Sequence, residues 1–265
     1  MSILDEIVAN KRKEVAERKD FFPTKLLEQS PYFEGKSVSM TKYIQREDKV
    51  GIIAEFKRQS PSKGIINGSA DIEKVSIGYM QAGASGLSVL TDKKYFGGKS
   101  EDLTTARSYN FCPILRKDFM IDEYQVVEAK SIGADVILLI AACLSPKEIK
   151  QLARCAKSFG MQVLLEVHNE DELNTSLTEE IDLLGVNNRN LGTFVTDVNT
   201  SRDLAEKIPD QFVKVSESGI SDPETIIDLM SYGFEGFLIG ENFMSKSSPE
   251  RSCREFIQRV KELKT

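Results

Sequence analysis

Short apolar runs recur along the chain at residues 51–56, 87–91, 113–116, 135–141, 162–167, 183–186, 212–215 and 236–239. Their ends lie roughly 21 to 34 residues apart, which leaves room for one helix in each interval. Apolar positions at three- and four-residue spacing predict those helices over 72–81, 123–131, 146–159, 199–207 and 223–231. Gly83, Gly133, Gly160 and Gly233 each follow a helical pattern and precede an apolar run, where a left-handed glycine turns helix into strand. Pro146 and Pro223 sit where a first helical turn accepts proline. Runs such as Val136-Ile137-Leu138-Leu139-Ile140 do not alternate, so both faces of the strand are covered and the sheet is parallel.

Eight strands alternating with helices predict an α/β fold, a (β/α)8 TIM barrel over residues 49–265. A doubly wound sheet is the alternative, but no glycine-rich dinucleotide fingerprint follows the first strand. Residues 1–48 fall outside the repeat. Ile3, Leu4, Ile7, Val8 and Val15 recur at helical spacing among charges, which predicts an extra N-terminal helical segment packed on the barrel as a lid, within one domain.

Composition narrows the function. The 265 residues are 40% hydrophobic and 29% charged, ordinary values for a globular protein. A net charge of −6 argues against nucleic acid as a partner. Lys11-Arg12-Lys13 and Lys93-Lys94 read as solvated faces. No apolar run reaches the roughly 18 residues of a membrane span, and charges from Asp5 onward leave no signal-peptide core, so the expected location is cytoplasmic. Cys112, Cys143, Cys155 and Cys253 show no CxxC spacing and read as reduced thiols. His168 is the single histidine, so a histidine-rich metal site is excluded.

The ends of the apolar runs carry the chemistry. In a strand, residues i and i+2 share a face, so Glu55 and Lys57 project together, and opposite charges on an otherwise buried strand are costly without a role. The same alternation groups Leu115, Lys117 and Phe119, then Leu164 and Glu166, then Asn187 and Arg189. Strand seven ends in Glu217-Ser218-Gly219, and strand eight in Gly240-Glu241. Barrels of this kind react at the C-terminal mouth, so Glu55, Glu166 and Glu217 should converge there with Lys57, Lys117 and Arg189. Gly219 and Gly240, after strands seven and eight, suggest a phosphate held by backbone N–H groups. His168 reads as a polar rim residue, and the loop from Ser60 to Gly68 as a mobile lid.

At these residues the chain resembles the indole-3-glycerol phosphate synthase family of tryptophan biosynthesis. The matching segments are 3–13, 54–61 (Ala-Glu-Phe-Lys-Arg-Gln-Ser-Pro), 87–92 with Tyr95-Phe96, and 115–122 (Leu-Arg-Lys-Asp-Phe-Met-Ile-Asp). They continue through 164–168, 185–191 and 216–220, nearly the whole chain. The resemblance implies a carbon–carbon lyase, a carboxy-lyase that converts 1-(2-carboxyphenylamino)-1-deoxyribulose 5-phosphate to indole-3-glycerol phosphate, releasing CO2 and water. By motif, Lys117 matches the general acid of ring closure and Glu166 the carboxylate that stabilises cationic intermediates. Lys57, paired to Glu55, matches a substrate-binding lysine that can donate the dehydration proton, and the division of acid duty with Lys117 is left open.

Asn187, Arg189, Glu217 and Ser218 match groups that orient the sugar and the anthranilate carboxylate. Phe119 and Leu138 would wall the aromatic ring, with Ser60 starting the loop above it. The phosphate would meet Lys57, Ser218, Gly219, Gly240 and the backbone of Glu241. No metal or organic cofactor is implied, because ring closure itself creates the electron sink. The implied partner is a small phosphosugar, with no nucleic acid or membrane, and the implied state is a monomer. Glu241 departs from the family, which commonly has Ser there, and its side chain is expected to turn away from the phosphate. Another phosphosugar barrel (an isomerase, or a Schiff-base aldolase using Lys117) and a non-catalytic scaffold are the competing readings.

Overall fold

The computed structural model describes residues 3–190 and 192–264. Met1 and Ser2 of the expected N-terminal segment, Leu191 of the resembling segment 185–191, and Thr265 lie outside them. Strands β1 (Ile52–Phe56), β2 (Gly86–Leu90), β3 (Ile114–Lys117), β4 (Val136–Ile140), β5 (Gln162–Val167), β6 (Leu183–Asn187), β7 (Val213–Glu217) and β8 (Gly236–Ile239) pair in sequence order, all parallel. β1 pairs with both β2 and β8, which closes the barrel. Each strand lies within two residues of its expected place.

Two apolar layers explain the non-alternating runs. Ile52, Ala54, Leu87, Ile137, Leu139, Val163, Leu165 and Phe237 face outward into the helical ring. Ile53, Leu115, Leu138, Leu164, Leu183, Val215 and Leu238 fill the barrel interior. The two sets alternate along each strand, so every position is buried and the pattern reads as continuous.

The expected helices form, among them Ile72–Ala82, Glu123–Ser131, Pro146–Ser158, Asn199–Ala205 and Pro223–Ser231. Ser145 starts Pro146–Ser158 with a full capping box, its hydroxyl accepting from Glu148 N–H while Glu148 Oε2 accepts from Ser145 N–H. Gly83, Gly133, Gly160 and Gly233 all take positive φ. Helices Ser100–Tyr109, Glu170–Ser176 and Pro249–Lys264, none of them foreseen, complete the ring. The first was missed because its face is weakly apolar, with acidic residues in its first turn.

The N-terminal segment meets the barrel at both ends. Helix α1 (Ile3–Phe21) crosses the C-terminal mouth, where Ile7 packs into the interior cluster with Ile3 and Leu4 beside it. Helix Met40–Ile44 joins the same cluster from the opposite end, and Gln162 Oε1 accepts from Met40 N–H (2.6 Å) and Thr41 N–H (3.2 Å).

Lys11 contradicts its reading as part of a solvated basic face. It is 1% exposed, with Nζ 2.9 Å from each of Asp92 Oδ2, Asp118 Oδ1 and Glu14 Oε2. Arg12 and Lys13 are exposed. All four thiols are free. No helix among the described residues is long and apolar enough to cross a membrane.

Candidate active site

A cavity of about 690 Å3 opens at the C-terminal mouth. Of the residues expected to form the site, Glu55, Lys57, Ser60, Lys117, Phe119, Leu138, Glu166, Asn187 and Arg189 line it. So do Ser218, Gly219, Gly240 and Glu241. Glu217 stands behind this lining, 1% exposed, and reaches the cavity through Lys117.

Strand alternation places these charges. Lys117, at the end of β3, donates to Glu217 Oε2 and lies 3.6 Å from Glu166 Oε2 and 4.0 Å from Glu55 Oε2. Burial works against its ammonium, but the carboxylates of Glu217, Glu166 and Glu55 outweigh burial and raise its pKa. Lys57 Nζ pairs with Glu55 Oε1 at 2.9 Å. Burial would push Glu55 up, yet Lys57 and Lys117 hold it below the usual carboxylate range. Two glycines give the acids room. A Cβ on Gly185 would stand 2.3 Å from Glu217 Oε1, and one on Gly240 would stand 2.4 Å from Glu55 Oε1.

The three acids are not equivalent. Glu166 accepts from Asn187 Nδ2 (3.0 Å) and faces both Lys117 and His168, so its pKa falls despite burial. Burial pushes Glu217 well above the usual range; Lys117 opposes this, and Glu166 and Glu55 add to it. Glu217 Oε1 is buried with no hydrogen-bond partner among the described residues. One carboxylate is therefore held ionised, and its neighbour is disposed to carry a proton.

One wall is apolar. Phe119, Leu138 and Ile140 from the barrel meet Ile3, Leu4 and Ile7 of α1, and Phe96 lies 6.1 Å from Phe119 between ring centroids. The opposite wall is polar backbone. Ser218 and Gly219 both take left-handed conformations, at φ 67° and 76°. For Ser218 this is strain of the kind that collects at functional sites. Gly219, Gly240, Ser221 and Asn242 line the same cavity. Among the described residues, no His, Cys, Asp and Glu side chains group as a metal site requires.

Three features escaped sequence reasoning. Arg189 donates from Nη1 to Ser62 Oγ (2.7 Å) and from Nε to Thr196 Oγ1 (3.2 Å), tying the loop after β1 to the loop after β6. Glu241 is held by two cations from other loops. Its carboxylate accepts from Arg189 Nη2 (3.2 Å) and lies 3.6 Å from Lys63 Nζ. Phe194, at φ 58°, lines the cavity from the loop after β6; a lone aromatic in a polar loop was its only signal.

His168 was read as a rim residue. Its side chain is 10% exposed, and it lies between Glu166 and Glu172.

The chain is similar to known proteins along nearly its whole length. The chain is 48% identical to indole-3-glycerol phosphate synthase of Bacteroides thetaiotaomicron, over 97% of this chain and 98% of that one. It is 42% identical to the synthase of Caldanaerobacter subterraneus subsp. tengcongensis, over 98% and 99%. Among solved structures, 3-hexulose-6-phosphate synthase from Salmonella typhimurium superposes with a TM-score of 0.63 at 13% identity. It covers 80% of this chain and 99% of that one, a likeness of fold alone. The family model for indole-3-glycerol phosphate synthase matches residues 4–256, and the chain belongs to that family.

Proposed function

We propose that this mouth carries out the family's reaction on 1-(2-carboxyphenylamino)-1-deoxyribulose 5-phosphate through ring closure, decarboxylation and dehydration. The observation that carries the reading is one ammonium, Lys117, set among Glu55, Glu166 and Glu217 beside an apolar wall. The substrate's aromatic ring suits Phe119 and Leu138, and its phosphate suits the backbone turn of Ser218, Gly219 and Gly240.

Lys117 is the group for the ribulose carbonyl oxygen. As carbon attacks carbonyl, charge builds on that oxygen, and an ammonium fixed in a water-poor site stabilises it. Its raised pKa keeps it charged at neutral pH, which suits this electrostatic role. Glu166, held ionised, suits the iminium that follows ring closure. Loss of CO2 then returns the electron pair to the ring nitrogen. Dehydration needs one proton delivered to the leaving hydroxyl and one removed from carbon. Lys57 and Glu217 stand next to Glu55 and Lys117 for those transfers.

Arg189 and Asn187 orient the polar substrate groups, with Ser60 at the loop above. Glu241 contributes backbone at the phosphate end while its side chain holds Arg189 and Lys63. We read α1 and the barrel as one domain, supported by the burial of Lys11 between Asp92 and Asp118. We also read the chain as a cytoplasmic monomer, which light scattering of the purified protein tests. The function is tested by adding the substrate to the protein and following indole fluorescence. Folded protein without signal refutes it, and a borohydride-trapped lysine adduct would favour the Schiff-base alternative.

A further inference from the structure

We infer that His168 is an imidazolium held between Glu172 and Glu166, and that its charge keeps Glu166 ionised and leaves Glu217 as the proton-carrying carboxylate. The inference rests on the catalytic reading of Glu166 given above. His168 touches no substrate in this arrangement; it is a positioning residue acting through Glu166.

The hydrogen bonds fix the tautomer. Glu172 Oε2 accepts from His168 N–H at 2.8 Å and lies 3.1 Å from Nδ1, while its Oε1 accepts from Asn169 Nδ2 at 2.9 Å. A carboxylate so surrounded by donors is ionised, so Nδ1 carries a proton. The other ring nitrogen, Nε2, is shut off from solvent with no hydrogen-bond partner among the described residues, and Glu166 Oε1 lies 3.4 Å from it. A neutral ring would leave the Nε2 lone pair 3.4 Å from an ionised carboxylate oxygen, away from water. A proton on Nε2 turns that repulsion into an ion pair.

The electrostatics agree. Burial alone would lower the His168 pKa, but Glu166 and Glu172 outweigh it and raise it to about 10. Two other groups belong to this rim. Cys143, in the turn after β4, feels both Glu166 and Glu172 and, from α1, Asp5. Burial pushes its thiol up to about 12, so it stays neutral.

The charge balance of the mouth then resolves. Glu55 has Lys57, and Glu166 has His168 and Asn187 besides its share of Lys117. Glu217 accepts the Lys117 hydrogen bond but has no second donor, and its other oxygen is buried without a partner among the described residues. The proton goes where compensation is poorest.

Because the chain has one histidine, the imidazole nitrogens of the free protein give one unambiguous pair of NMR signals. Both nitrogens should hold protonated shifts at pH 8; a lone-pair shift on Nε2 at pH 7 overturns the inference. That measurement needs no turnover, so it stands apart from the assigned activity. In H168Q and, more weakly, E172Q, the acid limb of kcat should move to higher pH by about one unit, roughly a tenfold loss at a pH on that limb that recovers toward neutral pH. KM should change less than about threefold. A loss of equal size at every pH means that His168 only supports the fold, and the inference fails.

Discussion

Neighbouring residues of β3 face two buried charge clusters. Outward, Arg116 and Asp118 join Glu128, Asp92 and Lys11. Arg116 Nη2 lies 2.6 Å from Glu128 Oε2 and 3.3 Å from Asp118 Oδ2. Thr91 Oγ1 donates to Asp118 and accepts from Arg116 Nε, and Arg18 of α1 reaches Glu128. Inward, Lys117 alone is shared by three carboxylates. The outer cluster is closed on itself: Asp118 stays near pKa 2 because Lys11 and Arg116 outweigh its burial. Counting lysines alone, the inner cluster has one more acid than Lys57 and Lys117 can match, and Glu55, Lys57, Lys117 and Glu166 line the cavity, to which the outer cluster presents Asp118 alone. Both are buried, and only the uncompensated one is disposed to chemistry.

The widest test of that contrast is Lys117→Met. Turnover followed by indole fluorescence should fall by about 10³-fold or more with the fold intact by circular dichroism. Retention of a tenth of the activity would remove the distinction between the clusters. Lys11→Met should instead act on stability. It leaves Asp92 buried without its cation and Asp118 with Arg116 alone, a cost of about 3–5 kcal/mol in urea unfolding. The kcat per folded molecule should change much less.

The two clusters should also respond to pH with opposite sign. Asp118 binds its proton less tightly when folded, so its contribution is full above the unfolded value of 3.8 and is lost as pH falls toward 2. The loss is about 2 kcal/mol, read as a falling Tm, and Lys11→Met should shrink it. Glu217 binds its proton more tightly when folded, so it favours the folded state at low pH and weakens it as pH rises through its raised pKa. Glu217→Gln should therefore raise stability at pH 8 by about 1 kcal/mol while lowering kcat. A loss of stability there would mean that the inner cluster is as well compensated as the outer. The smallest effect belongs to Glu241→Ala, which frees the partly exposed Arg189 and Lys63. A KM decrease of about threefold or less is expected.

Much of the site was legible because period-2 alternation at strand ends is a local rule. Glu55 with Lys57, Lys117 with Phe119, and Asn187 with Arg189 could be placed on common faces from spacing alone. Helix Met40–Ile44 was not legible, being five residues whose role is to plug an end closed by strands far along the chain. The partners of Glu241 were not legible for a related reason. Repulsion from a phosphate was visible in the sequence, whereas the pull of Arg189 and Lys63 depends on loops meeting across the mouth.

The chain by itself determined the order of strands and helices, the glycine turns, and which polar residues stand at the mouth. These follow from spacing and from the backbone preferences of single residues. Only the tertiary structure decided which charge compensates which. Lys11, on a helix that reads as basic surface, became the buried partner of two distant aspartates, and Glu217 became the hydrogen-bond partner of Lys117. Compensation depends on distance and on water excluded by residues remote in sequence, and no local period encodes either.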